Sequence, residues 1–133
     1  MFLKLNASRR GFTLVEIMIV ISIIALLATI AMPNYLRSRK RAQATQILED
    51  LRLIDSGVDL YALEYSKVGG HAVGWLDVQN YLKAGSRLYA SGGVDILGNA
   101  YTMPNVDGKP TVPAATFAAL SDVAPNDFWS PYK

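Results

Sequence analysis

The stretch Gly11–Pro33, GFTLVEIMIVISIIALLATIAMP, decides how the rest of the chain is read. From Phe12 to Met32 it is apolar except for Thr13, Ser22, Thr29 and one ionisable residue, Glu16. Its length is about the ~20 residues a helix needs to cross the hydrocarbon core of a bilayer. Glu16 is the odd member. A carboxylate inside a membrane segment costs roughly 2.5–3.5 kcal/mol on insertion scales, which marks a functional position with an expected partner. The segment itself holds no Lys, Arg or His to serve as that partner.

Ahead of it, MFLKLNASRRG carries Lys4, Arg9 and Arg10 and no acid. A basic flank before an apolar run sets the basic end on the cytoplasmic side, and it also has the form of the first region of a secretory signal. A secretory signal needs a small-residue cleavage site after its apolar core. Here the core ends in ATIAMPNY and runs straight into a long helical pattern. A cut after Ala31 is the alternative that those alanines leave open.

The run RRGFTLVEIMIVISIIALLATIAMPNY resembles the N-terminal signature of type IV pilins and of the pseudopilins of type II secretion. The resemblance implies a leader, residues 1–11, removed between Gly11 and Phe12 by a prepilin peptidase that also methylates the new amine of Phe12. It makes Glu16 the acid at the fifth mature position, Pro33 the helix-distorting proline and Tyr35 an aromatic just beyond it. It further implies a homopolymer raised by an inner-membrane assembly platform. The subunit is then a single-pass protein of the inner membrane before assembly, and part of a periplasmic pseudopilus or extracellular pilus afterwards. The physics of the residues agrees. Cutting after Gly11 creates an amine four residues before Glu16, the cation that the segment lacks. That pair can close within one subunit or between neighbours; the resemblance implies the second, with the amine of an incoming subunit meeting the acid of one already in place.

The whole chain has 133 residues and a formal net charge of +2, with 13 Lys and Arg against 11 Asp and Glu. Three of those cations lie in the leader, so the mature product is slightly acidic and its charge gives no argument for nucleic-acid binding. The absence of Cys excludes disulfides, thiolate metal sites and thiol catalysis. Many type IV pilins close a C-terminal loop with a disulfide, and this chain departs from that pattern. The length leaves room for one small domain beside the membrane helix.

Beyond Pro33 the polarity changes abruptly. Arg37, Arg39, Lys40 and Arg41 form a basic cluster suited to phospholipid headgroups. Then Ile47, Leu51, Ile54, Val58, Tyr61 and Tyr65, widened by Ala44 and Leu48, fall at the spacing of a core-facing helix. Glu49, Asp50, Asp55, Asp59 and Glu64 make the other positions of that helix acidic. If subunits are staggered along a filament, as the resemblance implies, a neighbour's basic cluster can lie against this acidic face; the plain alternative is a solvated face and headgroup-binding cations. One helix is thus expected from about Phe12 to about Tyr65, roughly 80 Å at about 1.5 Å per residue. Pro33 removes a backbone donor within it and serves either as a kink at the membrane exit or as a place where the helix bends during packing. Gly57 is a second weak point, costing about 1 kcal/mol relative to Ala.

From Ser66 the chain breaks into short elements. Gly69–Gly74 is a loop without the Lys or spacing of a phosphate loop, and His71, the only histidine, reads as a loop residue. Trp75–Leu82 fits a short helix. Ser86–Ala90 is a candidate strand before the Gly92-Gly93 turn, Ala100–Met103 a second and the run from Thr111 a weak third. Asn105–Pro110 reads as a turn, and Ala124–Lys133 as a packed tail. DILGNAY, Asp95–Tyr101, resembles a turn found in major pseudopilins, in which Asp and Asn side chains close the turn and Gly supplies φ > 0. Major pseudopilins also bind calcium; Asp107, Asp122 and Asp127 are the available oxygen ligands, although they lie apart and show no EF-hand-like spacing.

Three functions from different classes fit: a filament subunit, a minor membrane-anchored module that binds a partner, and an anchored enzyme. The segment after Tyr65 offers one His, no Cys and no close acid pair, so no acid–base constellation is visible and an enzyme is not expected. Glu16 favours the filament subunit over the tip module, since the resemblance implies that a filament-initiating subunit often lacks this acid. The expected fold is α+β, with the long N-terminal helix packed by its second half on an antiparallel sheet of about three strands. The expected divisions are a leader at 1–11, a membrane and polymerisation helix at 12–36 and a globular periplasmic or extracellular domain at 37–133.

Overall fold

The computed structural model describes residues 10–133, so Lys4, Arg9 and most of the leader lie outside the described residues. The chain divides into two compact units, one ending at Leu36 and the other comprising Arg37–Lys133. Helix α1, Leu14–Glu64, supplies the first and the backbone of the second, and it runs through Pro33 without interruption.

In the N-terminal unit α1 is apolar on every side, and an 18-residue window reaches a mean hydropathy of 2.7 with none of it buried. The helix is long and apolar enough to cross a membrane. All of its backbone hydrogen bonds can close inside the segment, as hydrocarbon requires.

In the C-terminal unit α1 becomes one-sided. Ala44, Ile47, Leu51, Ile54 and Val58 are buried, as the helical spacing predicts, while Tyr61 is only partly covered and Tyr65 is exposed. Each fully buried aliphatic side chain contributes roughly 1.5–3 kcal/mol. Four short helices close over this stripe: α2 Trp75–Gln79, α3 Arg87–Ser91, α4 Ala114–Leu120 and α5 Asn126–Trp129. They bring Val78, Leu88, Leu120 and Trp129 into the same core. Gly57 is the contact point rather than a weak point. A Cβ there would sit 2.6 Å from Cγ1 of Val78, so glycine is what lets α2 approach α1. The C-terminal tail is packed as expected, with Trp129 fully buried and its indole N–H donated to the carbonyl of Ala124 at 3.0 Å.

The expected three-stranded sheet is not found among the described residues. In its place are three single-residue antiparallel pairings, Ala72 with Asn105, Val94 with Ala100 and Thr102 with Thr111. The reason is local. Pro104, Pro110 and Pro113 stand beside the Thr102–Thr111 pairing, and proline cannot donate to a ladder. The first candidate strand is helix α3 instead. Ser86 caps it by accepting the amide of Tyr89 at 3.2 Å, and Gly92 ends it in the left-handed conformation, the usual stop for a helix. The Asn105–Pro110 turn forms as read, with the amide of Gly108 on the carbonyl of Asn105 at 2.8 Å.

Candidate functional site

The N-terminus of α1 is organised by two residues of the apolar segment. Glu16 accepts the backbone N–H of Thr13 at 2.9 Å, and the hydroxyl of Thr13 accepts the backbone N–H of Glu16 at 3.2 Å. This reciprocal pair is a capping box, which satisfies two amides that an α-helix otherwise leaves open. Sequence reasoning found the acid and missed this partner, although Thr-x-x-Glu before an apolar run is the sequence signal for it. The remaining polar side chains of the segment turn inward on their own helix. Ser22 donates to the carbonyl of Met18 at 2.7 Å and Thr29 to that of Ala25 at 2.9 Å.

The apolar side chains have no such cover. Phe12 is 85% exposed and Leu14 78%, and the exposure continues through Ile30, Met32 and Tyr35. Among the described residues Gly11 sits in open space: a Cβ built there meets nothing within 4 Å, and its φ lies outside the left-handed region. Neither crowding nor backbone geometry requires glycine at this position.

In the C-terminal unit most of the expected acidic face is matched internally. Asp50 is buried and receives the guanidinium of Arg87 and the hydroxyl of Tyr101, the latter at 2.9 Å. Burial raises the Asp50 carboxyl, opposed by the bond from Tyr101 and the charge of Arg87. The same burial, with the Asp50 charge, pushes the Tyr101 phenol far up, so it stays a donor. Asp55 receives Lys109 at 2.7 Å and the Tyr132 hydroxyl at 3.2 Å, and Glu49 receives Arg52 at 2.7 Å. Lys40 of the basic cluster is held by Asp122 at 2.9 Å, a bond that lowers the Asp122 carboxyl. A neighbour's cluster facing this helix would therefore meet Asp59 and Glu64 rather than all five acids.

The DILGNAY segment is a turn locked by side chains. Asp95 accepts the amides of Leu97 and Asn99 at 2.8 and 2.9 Å, Gly98 takes φ +89°, and Thr116 links Asp95 to Asn99. Of the three calcium candidates, Asp122 is engaged by Lys40, Asp107 lies in the Asn105–Gly108 turn and Asp127 in the first turn of α5. Among the described residues no three acids or histidines gather into a metal-sized group.

The prokaryotic N-terminal methylation motif matches residues 6–32 of this chain. Relatives include type II secretion system core protein G of Klebsiella michiganensis, 38% identical over 60 residues, covering 45% of this chain and 42% of that protein. The type IV major fimbrial protein FimA of Dichelobacter nodosus is 31% identical over 71 residues, covering 53% and 46%. The type IV major pilin protein PilA of Myxococcus xanthus is 29% identical over 121 residues, covering 90% and 51%. These likenesses support a pilin or pseudopilin family for the chain. The chain spans about half the length of these relatives or less. No solved structure matches it.

In this pilin-like chain the methylation motif lies wholly in the first unit. The motif match ends at residue 32, so Gly11, Phe12 and Glu16 stand inside it and Pro33 immediately beyond. The internal pairs of the globular domain, Asp50–Arg87 and Asp55–Lys109, had no sequence signal, because their partners are 37 and 54 residues apart.

Proposed function

We propose that the chain is a structural subunit of a type IV pilus or type II secretion pseudopilus, and that it polymerises through residues 12–36. The observation that supports this best is the exposure of the N-terminal helix. Its polar side chains are satisfied by its own backbone, none of its most apolar window is covered, and the globular core is built from Ala44 onward without it. Such a helix needs a partner of the same chemistry all round, first lipid and then other copies.

In this reading a prepilin peptidase reads Gly11, cuts before Phe12 and methylates its amine. The glycine that the fold does not need is there for that enzyme. The subunit waits as a single-pass inner-membrane protein until an assembly platform adds it to the filament. Glu16 then exchanges partners. In the lone subunit it accepts a neutral backbone N–H, whereas the amine of an incoming Phe12 offers a charge-assisted bond of roughly twice the strength. Pro33, which cannot hold the carbonyl of Thr29, gives the helix a place to bend during packing. The filament would serve protein secretion or surface adhesion and motility.

The test has two parts. Mass spectrometry of the membrane-bound chain should show Phe12 as a methylated N-terminus, and Gly11→Val should leave the precursor uncut. A mature N-terminus after Ala31 would restore the secretory signal. Glu16→Ala should abolish filaments on electron-microscope grids while the processed subunit persists in the membrane; undiminished filaments in that variant would rule out the register role of Glu16.

A further inference from the structure

The end of α1 and helix α2 enclose a cleft of about 500 Å³, lined by Tyr61, Glu64, Tyr65, Asp77, Asn80 and Tyr81. Its chemistry is unusual for a small domain surface: three phenol rings and two carboxylates around one space. The rings of Tyr61 and Tyr65 lie 5.1 Å apart, inclined at 39°. Tyr81 donates its hydroxyl to Glu64, and that bond pushes the phenol up to about 12, so it remains a neutral donor.

The charge of the cleft is set by Glu64 and Asp77. Neither has a cation within ion-pair distance among the described residues. Each uses one oxygen locally, Glu64 for Tyr81 and Asp77 for the backbone N–H of Gly74 at 2.8 Å, and keeps the other free. Ring faces attract cations, and uncompensated carboxylates neutralise them. A guanidinium suits this lining best, because it can stack on a ring and fork to a carboxylate at once.

The chain carries the complementary group. Arg37, Arg39 and Arg41 are exposed and, among the described residues, none has an acid within ion-pair distance, whereas Lys40 is taken by Asp122. We infer that the cleft between α1 and α2 receives an arginine side chain from the Arg37–Arg41 segment of a second copy of this chain. The inference rests on the polymer reading above and sharpens it. Arg39 and Glu64 are 25 positions apart on one helix, roughly 37 Å along its axis, whereas Phe12 and Glu16 differ by only about 6 Å. The arginine therefore comes from a different neighbour than the one whose amine meets Glu16. One contact sets the nearest register and the other ties more distant subunits.

The absence of native cysteine makes the contact testable in the full chain. Arg39→Cys and Asn80→Cys in one chain, treated with a short bismaleimide after assembly, should give a ladder beyond the dimer, and each single variant should stop at the dimer. Adding Arg37→Gln and Arg41→Gln, exposed positions outside the core, should remove most of that ladder. Filaments on the grid without a ladder, a ladder that the Gln variant leaves intact, or an adduct of the Asn80 cysteine with another protein would each overturn the inference and leave the polymer reading standing. A failure of the unaltered chain to form filaments would overturn both.

Discussion

The two units of this chain solve opposite problems with one continuous helix. Up to Leu36 the apolar side chains are outside and the few polar ones are satisfied by the helix's own backbone. From Arg37 onward the apolar side chains are inside, and a carboxylate as buried as Asp50 is satisfied by residues brought from far along the chain. The first arrangement is stable alone only in a medium as apolar as itself. The second supplies its own interior. Stability is therefore a property of the second unit, and uncovered apolar surface a property of the first.

The strongest way to break that division is through Trp129. It is fully buried in the domain core and donates to the carbonyl of Ala124. Trp129→Ala should cost about 3–5 kcal/mol, the range for removing a large aromatic from a core, and so remove much or all of the domain's stability. Chemical unfolding followed by circular dichroism measures it. A chain beginning near Arg39 is the matching control and should remain folded and monomeric, because among the described residues no core residue precedes Ala44. If that shorter chain is unfolded, the division fails.

Next comes the seam between α1 and α2. Gly57→Val places methyl groups where Val78 already sits, 2.6 Å from the first added carbon, and Val78 is stiff at χ1. Overpacking of this kind costs typically about 1–3 kcal/mol, which a shift in the urea midpoint would register. Tyr61 and Asp77, on the same two helices, line the tyrosine-rich cleft, so the variant should also lower the yield of the cross-linked ladder. An unchanged midpoint would show that α2 is free to move off α1.

What the sequence disclosed followed the same line. The motif from Gly11 to Glu16, the apolar run and the stripe from Ala44 to Val58 were legible, because helix periodicity and motif spacing are local. Ser86–Ala90 reads as a strand because Gly92-Gly93 is hairpin punctuation, yet the same glycine with Ser86 in front is also a helix with both caps. The sheet was expected from runs between turns, and the prolines around the Thr102–Thr111 pairing were the contrary signal. Least legible was the acidic face. Which acids are spent inside the domain depends on Arg87, Lys109 and Tyr132, and their arrival beside α1 is decided by the whole fold.

A smaller effect sharpens the buried side of the comparison. Tyr101→Phe removes the hydroxyl that Asp50 accepts at 2.9 Å and leaves that carboxylate to Arg87 alone. A hydrogen bond to a charged group contributes roughly 1.5–3 kcal/mol, and the loss here should fall at the low end because the guanidinium stays. The urea midpoint measures this too, and a variant as stable as the original would mean that Arg87 alone satisfies Asp50.

The smallest effect is in the pH dependence, where a buried and an exposed acid of the same domain act with opposite sign. Asp122 is depressed below its ordinary 3.8, chiefly by the bond from Lys40, so its contribution is present above that value and fades as pH falls through its folded value. Asp50 is raised above 3.8, chiefly by burial. The folded state therefore holds its proton more tightly, and stability declines as pH rises from 3.8 through the folded value. The windows lie on either side of the ordinary carboxylate value. Urea midpoints taken across it should show that Asp122→Asn flattens the acid side alone, and that Asp50→Asn, whatever its constant offset, removes the decline above it. An Asp122→Asn curve parallel to the original at every pH would show that the Lys40 pair is too well screened to count.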